Sequence, residues 1–253
     1  MADTLFDTVA RWHDGRRWGR LLDAGTGAHS LEWCLARGAD AVVAVTGDPA
    51  REAALRQSFG PRLSPGGRVV CGNWQDPAFL AGEHFDVVLA DYLLGAIDGF
   101  APYFQPQLFG RLRRHLAPGG VLYAIGLAPL PDAGGGPGAD LIREIARLRD
   151  ACILLAGHRC YREYPLDWVL RSLDGAGLEV EDAVEIDIVW GARWVEGQLA
   201  VCRAKLPLLA DRALAASLDG TVADLRERAL RAVEQERGIR LGADWVVKAR
   251  VRT

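Results

Sequence analysis

A chain of 253 residues, half of them apolar and a quarter charged, holds enough apolar material for one sizeable core or at most two small ones. Its 30 basic and 33 acidic side chains leave a formal charge of −3 and a pI near 6.0, so the cation excess that drives phosphate-backbone binding is missing and a nucleic-acid partner is disfavoured. No apolar run reaches the ~18–20 residues of a membrane span, and Asp3 and Asp7 interrupt the stretch where a signal peptide would be apolar, so a cytoplasmic protein without a membrane partner is expected.

In chain order, short and almost continuously apolar runs predict strands at residues 21–24, 41–46, 68–71, 85–90 and 121–127. Between them, residues 29–37, 49–58 and 104–115 are long enough for crossover helices, and Pro118-Gly119-Gly120 supplies a stop before the fifth strand. This is the βαβ signature of an open, doubly wound, mostly parallel α/β sheet. A flexible PLPDAGGGPG loop at 129–138 leads into a helix at 139–155 with Ile142, Ile145, Leu148, Cys152 and Leu155 on one face. A helix at 166–176, a β-rich run at 180–190, an amphipathic helix at 221–237 and a last strand at 244–251 complete the pattern. Cys34, Cys71, Cys152, Cys160 and Cys202 form no C-x-x-C pair, which predicts free thiols and no structural metal. His13 and His115 read as helix-surface residues.

The most informative residues are Leu21-Leu22-Asp23-Ala24-Gly25-Thr26-Gly27, a strand running into a glycine turn and then a helix, where unpaired N–H groups and absent side chains let a ligand approach. A plain connecting turn is one reading. A dinucleotide fingerprint is another: Ser30 takes the third glycine position and Asp48 stands where a ribose-binding acid would. Asp23 argues against the latter, because its carboxylate would repel a pyrophosphate while attracting an ammonium or a sulfonium.

With this turn, the segments AVVAVTGDPAREA, GNWQDPAF, FDVVLADYLL and LFGRLRRHLAPGGVLYAIG, in that order and spacing over residues 20–127, resemble the class I S-adenosylmethionine-dependent methyltransferases. DWVVKARV resembles the family's final strand, which inserts antiparallel at the sheet edge. The resemblance implies that Asp23, Gly25 and Gly27, with Thr26 between them, hold the methionine part of the cofactor. The family's ribose-binding acid at the end of the second strand is replaced by Thr46. Either Thr46 or Asp48 then serves the ribose, unless Asp48 only caps the helix that opens at Pro49. Asn73 and Trp74 fall where the family contacts adenine through an amide and an apolar wall, although Trp74 also reads as a core ring.

Methyl transfer from a sulfonium is an in-line displacement, so the acceptor has to be placed ~3–3.5 Å from the methyl carbon, with a base to take its proton. Asp91, facing the cofactor at the end of the fourth strand, and Tyr92 beside it form the first candidate catalytic pair, Tyr92 also touching substrate. The second region is a lid at His158-Arg-Cys-Tyr-Arg-Glu-Tyr-Pro165. There His158 or Tyr161 is a candidate base, while Arg159, Arg162 and Tyr164 are candidate substrate contacts. Trp12 and Trp18 are candidates for closing the cofactor cleft. The fifth strand ends in GLAPL, without an acid–amide pair for a divalent metal. The reading is one seven-stranded methyltransferase domain over residues 1–253, with helical or lid insertions at about 128–165 and 191–240. It would methylate a small-molecule acceptor and release S-adenosylhomocysteine. The near absence of lysine among the basic residues fits GC-rich coding and a bacterial source. A noncatalytic binding or regulatory protein of the same fold, or a protein or RNA methyltransferase, are the alternatives.

Overall fold

A computed structural model describes residues 4–252. The strands lie at Arg20–Asp23 (β1), Ala41–Thr46 (β2), Arg68–Cys71 (β3), Phe85–Asp91 (β4), Leu116–Leu127 (β5), Leu178–Trp190 (β6) and Ile239–Val251 (β7), and they form one sheet in the order β3-β2-β1-β4-β5-β7-β6. The strands β3 to β5 of that order pair in parallel, and β7 joins β5 antiparallel, with Val121 opposite Arg250 and Leu127 opposite Asp244. The reversal of strand order beside β1 is where an open α/β sheet opens a crevice at its carboxyl ends.

Two compact units divide the chain. The first comprises residues 4–128, 161–186 and 244–252. In it, alternate side chains of each strand face opposite cores. Leu22, Val43, Val45 and Val88 face a cluster shared with Leu93–Ala96 (α4), Gln105–Arg113 (α5) and Leu166–Gly175 (α7). Leu21, Val42, Val87 and Leu89 face a second cluster with Thr4–His13 (α1), Ala28–Leu35 (α2) and Pro49–Phe59 (α3). The second unit, residues 129–160 and 187–243, is built on Gly136–Leu155 (α6), Ala192–Lys205 (α8) and Arg212–Glu236 (α9), which bury Ile145, Cys152, Leu199, Cys202, Val222 and Leu225 together. No helix among the described residues is long and apolar enough to cross a membrane.

Several expectations are corrected. Strand β5 begins at Leu116 and runs through Pro118-Gly119-Gly120, with a register shift between Phe85 and Val87 on β4. Proline is tolerated there because β7 pairs only with Val121–Leu127. Strand β7 begins at Ile239 and lies one position in from the edge, with β6 outside it. Helix α9 starts at Arg212, where Asp211 accepts a hydrogen bond from Leu214 N at 3.0 Å, and it continues past Gly220. His13 and His115 are buried: His13 Nδ1 lies 3.1 Å from the Tyr123 hydroxyl and its ring stacks on Trp18, while His115 Nδ1 lies 3.1 Å from Glu83 O and its ring meets Trp74. Burial lowers the pKa of both imidazoles. Trp12 and Trp18 pack on the second core cluster and do not line the cleft described below.

Candidate functional site

At the carboxyl ends of β1, β2 and β3 a cleft opens in the first unit, lined by Ala24, Gly25 and Thr26 of the glycine turn, Thr46 and Gly47 at the end of β2, and Asn73 and Trp74 after β3. Arg51, Leu93, Ile97, Phe100 and Tyr161 also line its walls. Of the residues singled out in the sequence, the cleft brings together Gly25, Thr26, Thr46, Asn73, Trp74 and Tyr161.

The turn is tied across the sheet by Thr26 N, which donates to Val45 O at 2.7 Å. A Cβ on Gly25 would stand 3.0 Å from the Leu93 side chain, so this glycine lets α4 close against the turn. Gly27 does not line the cleft; it caps α2, with its N–H donating to Ser30 Oγ at 3.0 Å. One residue behind the lining, Asp23 is fully buried. Its Oδ2 accepts from Ser30 Oγ at 2.8 Å, and its Oδ1 has no hydrogen-bond partner. Burial pushes this carboxyl up to about 6, against the pull of Thr26, Ser30 and the Gly25 N–H.

The end of β2 is built differently. Thr46 Oγ1 accepts from Asp48 N at 3.2 Å. Asp48 is the N-cap of α3, its Oδ1 accepting from Ala50 N at 2.8 Å and from Arg51 N at 3.4 Å, and it does not line the cleft. Asn73 is engaged at both ends of its amide: Nδ2 donates to Phe100 O at 2.8 Å and Oδ1 accepts from Gln75 N at 2.9 Å. Trp74 is 3% exposed, and its indole N–H donates to Ala24 O at 2.7 Å. The ring is therefore a core element whose edge meets the cleft.

Asp91 ends β4, half-buried, and Tyr92 follows with a left-handed backbone. The Tyr92 hydroxyl donates to Asp244 Oδ1 at 2.7 Å, which ties the end of β4 to β7, and neither residue lines the cleft. The predicted lid is divided between the units: His158 and Arg159 belong to the second, whereas Tyr161, Arg162 and Tyr164 belong to the first. His158 Nδ1 lies 2.8 Å from Lys205 Nζ. Tyr161 is exposed against the cleft. Arg162 N donates to Gly95 O at 3.4 Å. The Tyr164 ring packs on Trp168 with centroids 4.2 Å apart, and Trp245 Nε1 donates to its carbonyl at 3.0 Å. Gly47, Arg51 and Phe100 are among the lining residues that the sequence did not single out.

No protein-family model and no curated protein matches the chain. Solved structures do. A candidate methyltransferase from Bacillus halodurans C-125 superposes with a TM-score of 0.63 at 15% identity, over 99% of each chain. A cyclopropane synthase from Mycobacterium tuberculosis gives 0.57 at 17% identity, over 93% of this chain and 80% of that one. The Burkholderia thailandensis 1,6-didemethyltoxoflavin-N1-methyltransferase, with 1,6-didemethyltoxoflavin and S-adenosylhomocysteine bound, gives 0.51 at 19% identity, over 97% of this chain and 76% of that one. At such identities the likeness is one of fold. The chain folds as the Rossmann-like class I methyltransferases do.

Proposed function

We propose that this protein transfers a methyl group from S-adenosylmethionine to a small-molecule acceptor. The observation that carries the reading is the buried Asp23 carboxylate, whose Oδ1 has no partner, directly behind the glycine turn of the cleft. A buried, unmatched carboxylate oxygen is costly, and an ammonium donor offsets that cost; the residues present therefore fit an aminoacyl sulfonium. When bound, S-adenosylmethionine supplies an electrophilic methyl carbon. Gly25, Thr26 and Asp23 would hold its amino-acid end, and Thr46, Asn73 and Phe100 would flank its nucleoside end.

The remaining work falls to the chain's own groups. Asp91, at the carboxyl end of β4, is the base we assign to an acceptor O–H or N–H. Tyr92 does not share that role, since its hydroxyl proton is directed at Asp244. Tyr161 presents the exposed phenol at the cleft, with Arg162 beside it for an anionic group on the acceptor. The charge of −3 favours a metabolite over a polyanion.

Calorimetric titration with S-adenosylhomocysteine, with NAD in parallel, is the test. Binding of the first alone, followed by transfer of labelled methyl in a screen of small acceptors, is the expected result; binding of NAD alone, or of neither, overturns it. The hydroxyl of Thr46 and the capping role of Asp48 favour a second reading, a cofactor-binding protein without turnover. Tight binding with no methyl transfer to small, peptide or RNA acceptors would select it.

A further inference from the structure

We infer that Phe100 is the wall on which the nucleobase of the bound cofactor stacks, and that Asn73 positions Phe100 and does not read the base. The inference rests on the cofactor assignment above and departs from the role that the family resemblance implies for Asn73. Phe100 lines the cleft and remains 43% exposed. Its ring lies on the backbone of Gly47: a Cβ there would fall 2.6 Å from Phe100 Cδ1 and 2.8 Å from Cγ. Any residue but glycine after Thr46 would displace the ring.

The ring is carried by a braced segment. Phe100 N donates to Ile97 O at 3.0 Å and Ala101 N to the same oxygen at 2.7 Å. The buried Asp98 carboxylate accepts from Gln105 Nε2 at 3.0 Å and from Tyr103 N at 3.4 Å. Asn73 Nδ2 adds the cross-link from β3, at 2.8 Å to Phe100 O. The amide oxygen of Asn73 is held by Gln75 N, so its recognition groups are directed at the protein. Trp74, the aromatic of the predicted adenine wall, is 3% exposed. A platform of this kind recognises a π-face and tolerates changes at the edge of the base, whereas a site built on hydrogen bonds rejects an analogue that lacks them.

Titrations of the full chain with S-adenosylhomocysteine and with S-inosylhomocysteine, whose base carries a carbonyl in place of the adenine amine, test the proposal. Wild type is expected to bind both within about threefold. F100A and N73A should each weaken both ligands by on the order of tenfold, F100Y should restore wild-type affinity, and the double variant should be no weaker than the weaker single one, since both act through one ring. Thermal melts report folding, and N73D, which keeps the acceptor for Gln75 N, serves if N73A melts early. Wild-type affinity in F100A, or loss of a strong adenine preference in N73A alone, overturns the inference while leaving the cofactor assignment standing. Failure of wild type to bind S-adenosylhomocysteine overturns both.

Discussion

At the end of β1 the chain buries a carboxylate and leaves one of its oxygens unmatched; at the end of β2 it places a hydroxyl and directs the nearest carboxylate into a helix cap. One side of the cleft thus offers charge held in a low dielectric, and the other offers packing against Gly47 and Phe100. A ligand matched to both has a cation at one end and a flat apolar face at the other. The contrast also says where each contact is vulnerable: charge responds to pH, packing to shape.

The largest expected effect comes from the charged side. Asp23→Ala should lower S-adenosylhomocysteine affinity by more than ~100-fold in calorimetry, as expected for losing a buried, charge-assisted contact. Asp23→Asn should lose binding too, yet melt higher than wild type at pH 7. The folded-state value of about 6 lies above the ordinary 3.8, so the stability associated with Asp23 is fully present below 3.8 and is lost as pH rises through 6. Removing the charge returns up to ~3 kcal/mol at neutral pH, at ~1.4 kcal/mol per pH unit, and nothing at pH 3. Melting curves at the two pH values check this. Next in size, wild-type affinity should fall about tenfold for each pH unit below about 6 as Asp23 takes up a proton.

The β2 side should respond more weakly. Thr46→Ala should weaken binding by about threefold, the scale of one neutral hydrogen bond, whereas a hundredfold loss would return the ribose to Thr46 and erase the contrast. The smallest effect on affinity belongs to Asp48→Ala, which should leave titrations unchanged within twofold while chemical denaturation shows a loss of ~1 kcal/mol from the cap of α3.

Strands β2 and β3 lie residue for residue where their β-branched runs predict them: β2 is buried along its whole length between two parallel partners, and β3 pairs with it in parallel. Where a local signal competes with a tertiary one, the reading failed. Pro118-Gly119-Gly120 looks like a terminator and is carried inside β5 because its neighbour β7 stops short of it. His13 and His115 look solvated and are buried because aromatic neighbours and polar partners receive each ring, Tyr123 and the Arg17 carbonyl for His13 and the Glu83 carbonyl for His115. The glycine turn and the Thr46 departure were legible because they sit in a contiguous motif. Phe100 was not, since its meaning depends on an absent side chain at Gly47 and on an Asn73 amide that bonds a backbone carbonyl, neither of which leaves a trace in the local pattern. The Tyr92–Asp244 bond was hidden for the same reason: its partners meet only once the sheet is assembled.

Strand β7 is hydrogen-bonded between β5 and β6, and this has a consequence for synthesis. On the ribosome, β6 emerges before the strand that attaches it to the sheet exists, so it waits while α8 and α9 are translated. During that interval it is an unpaired strand that a neighbouring nascent chain could capture. Glu179, Glu181, Glu185 and Asp187 occupy every exposed position of its alternation except Ala183 and Val189, and like charges opposite one another disfavour pairing between copies. The acidic register of β6 would oppose such capture before β7 is made, and it stays in place on what becomes the edge strand of the finished sheet.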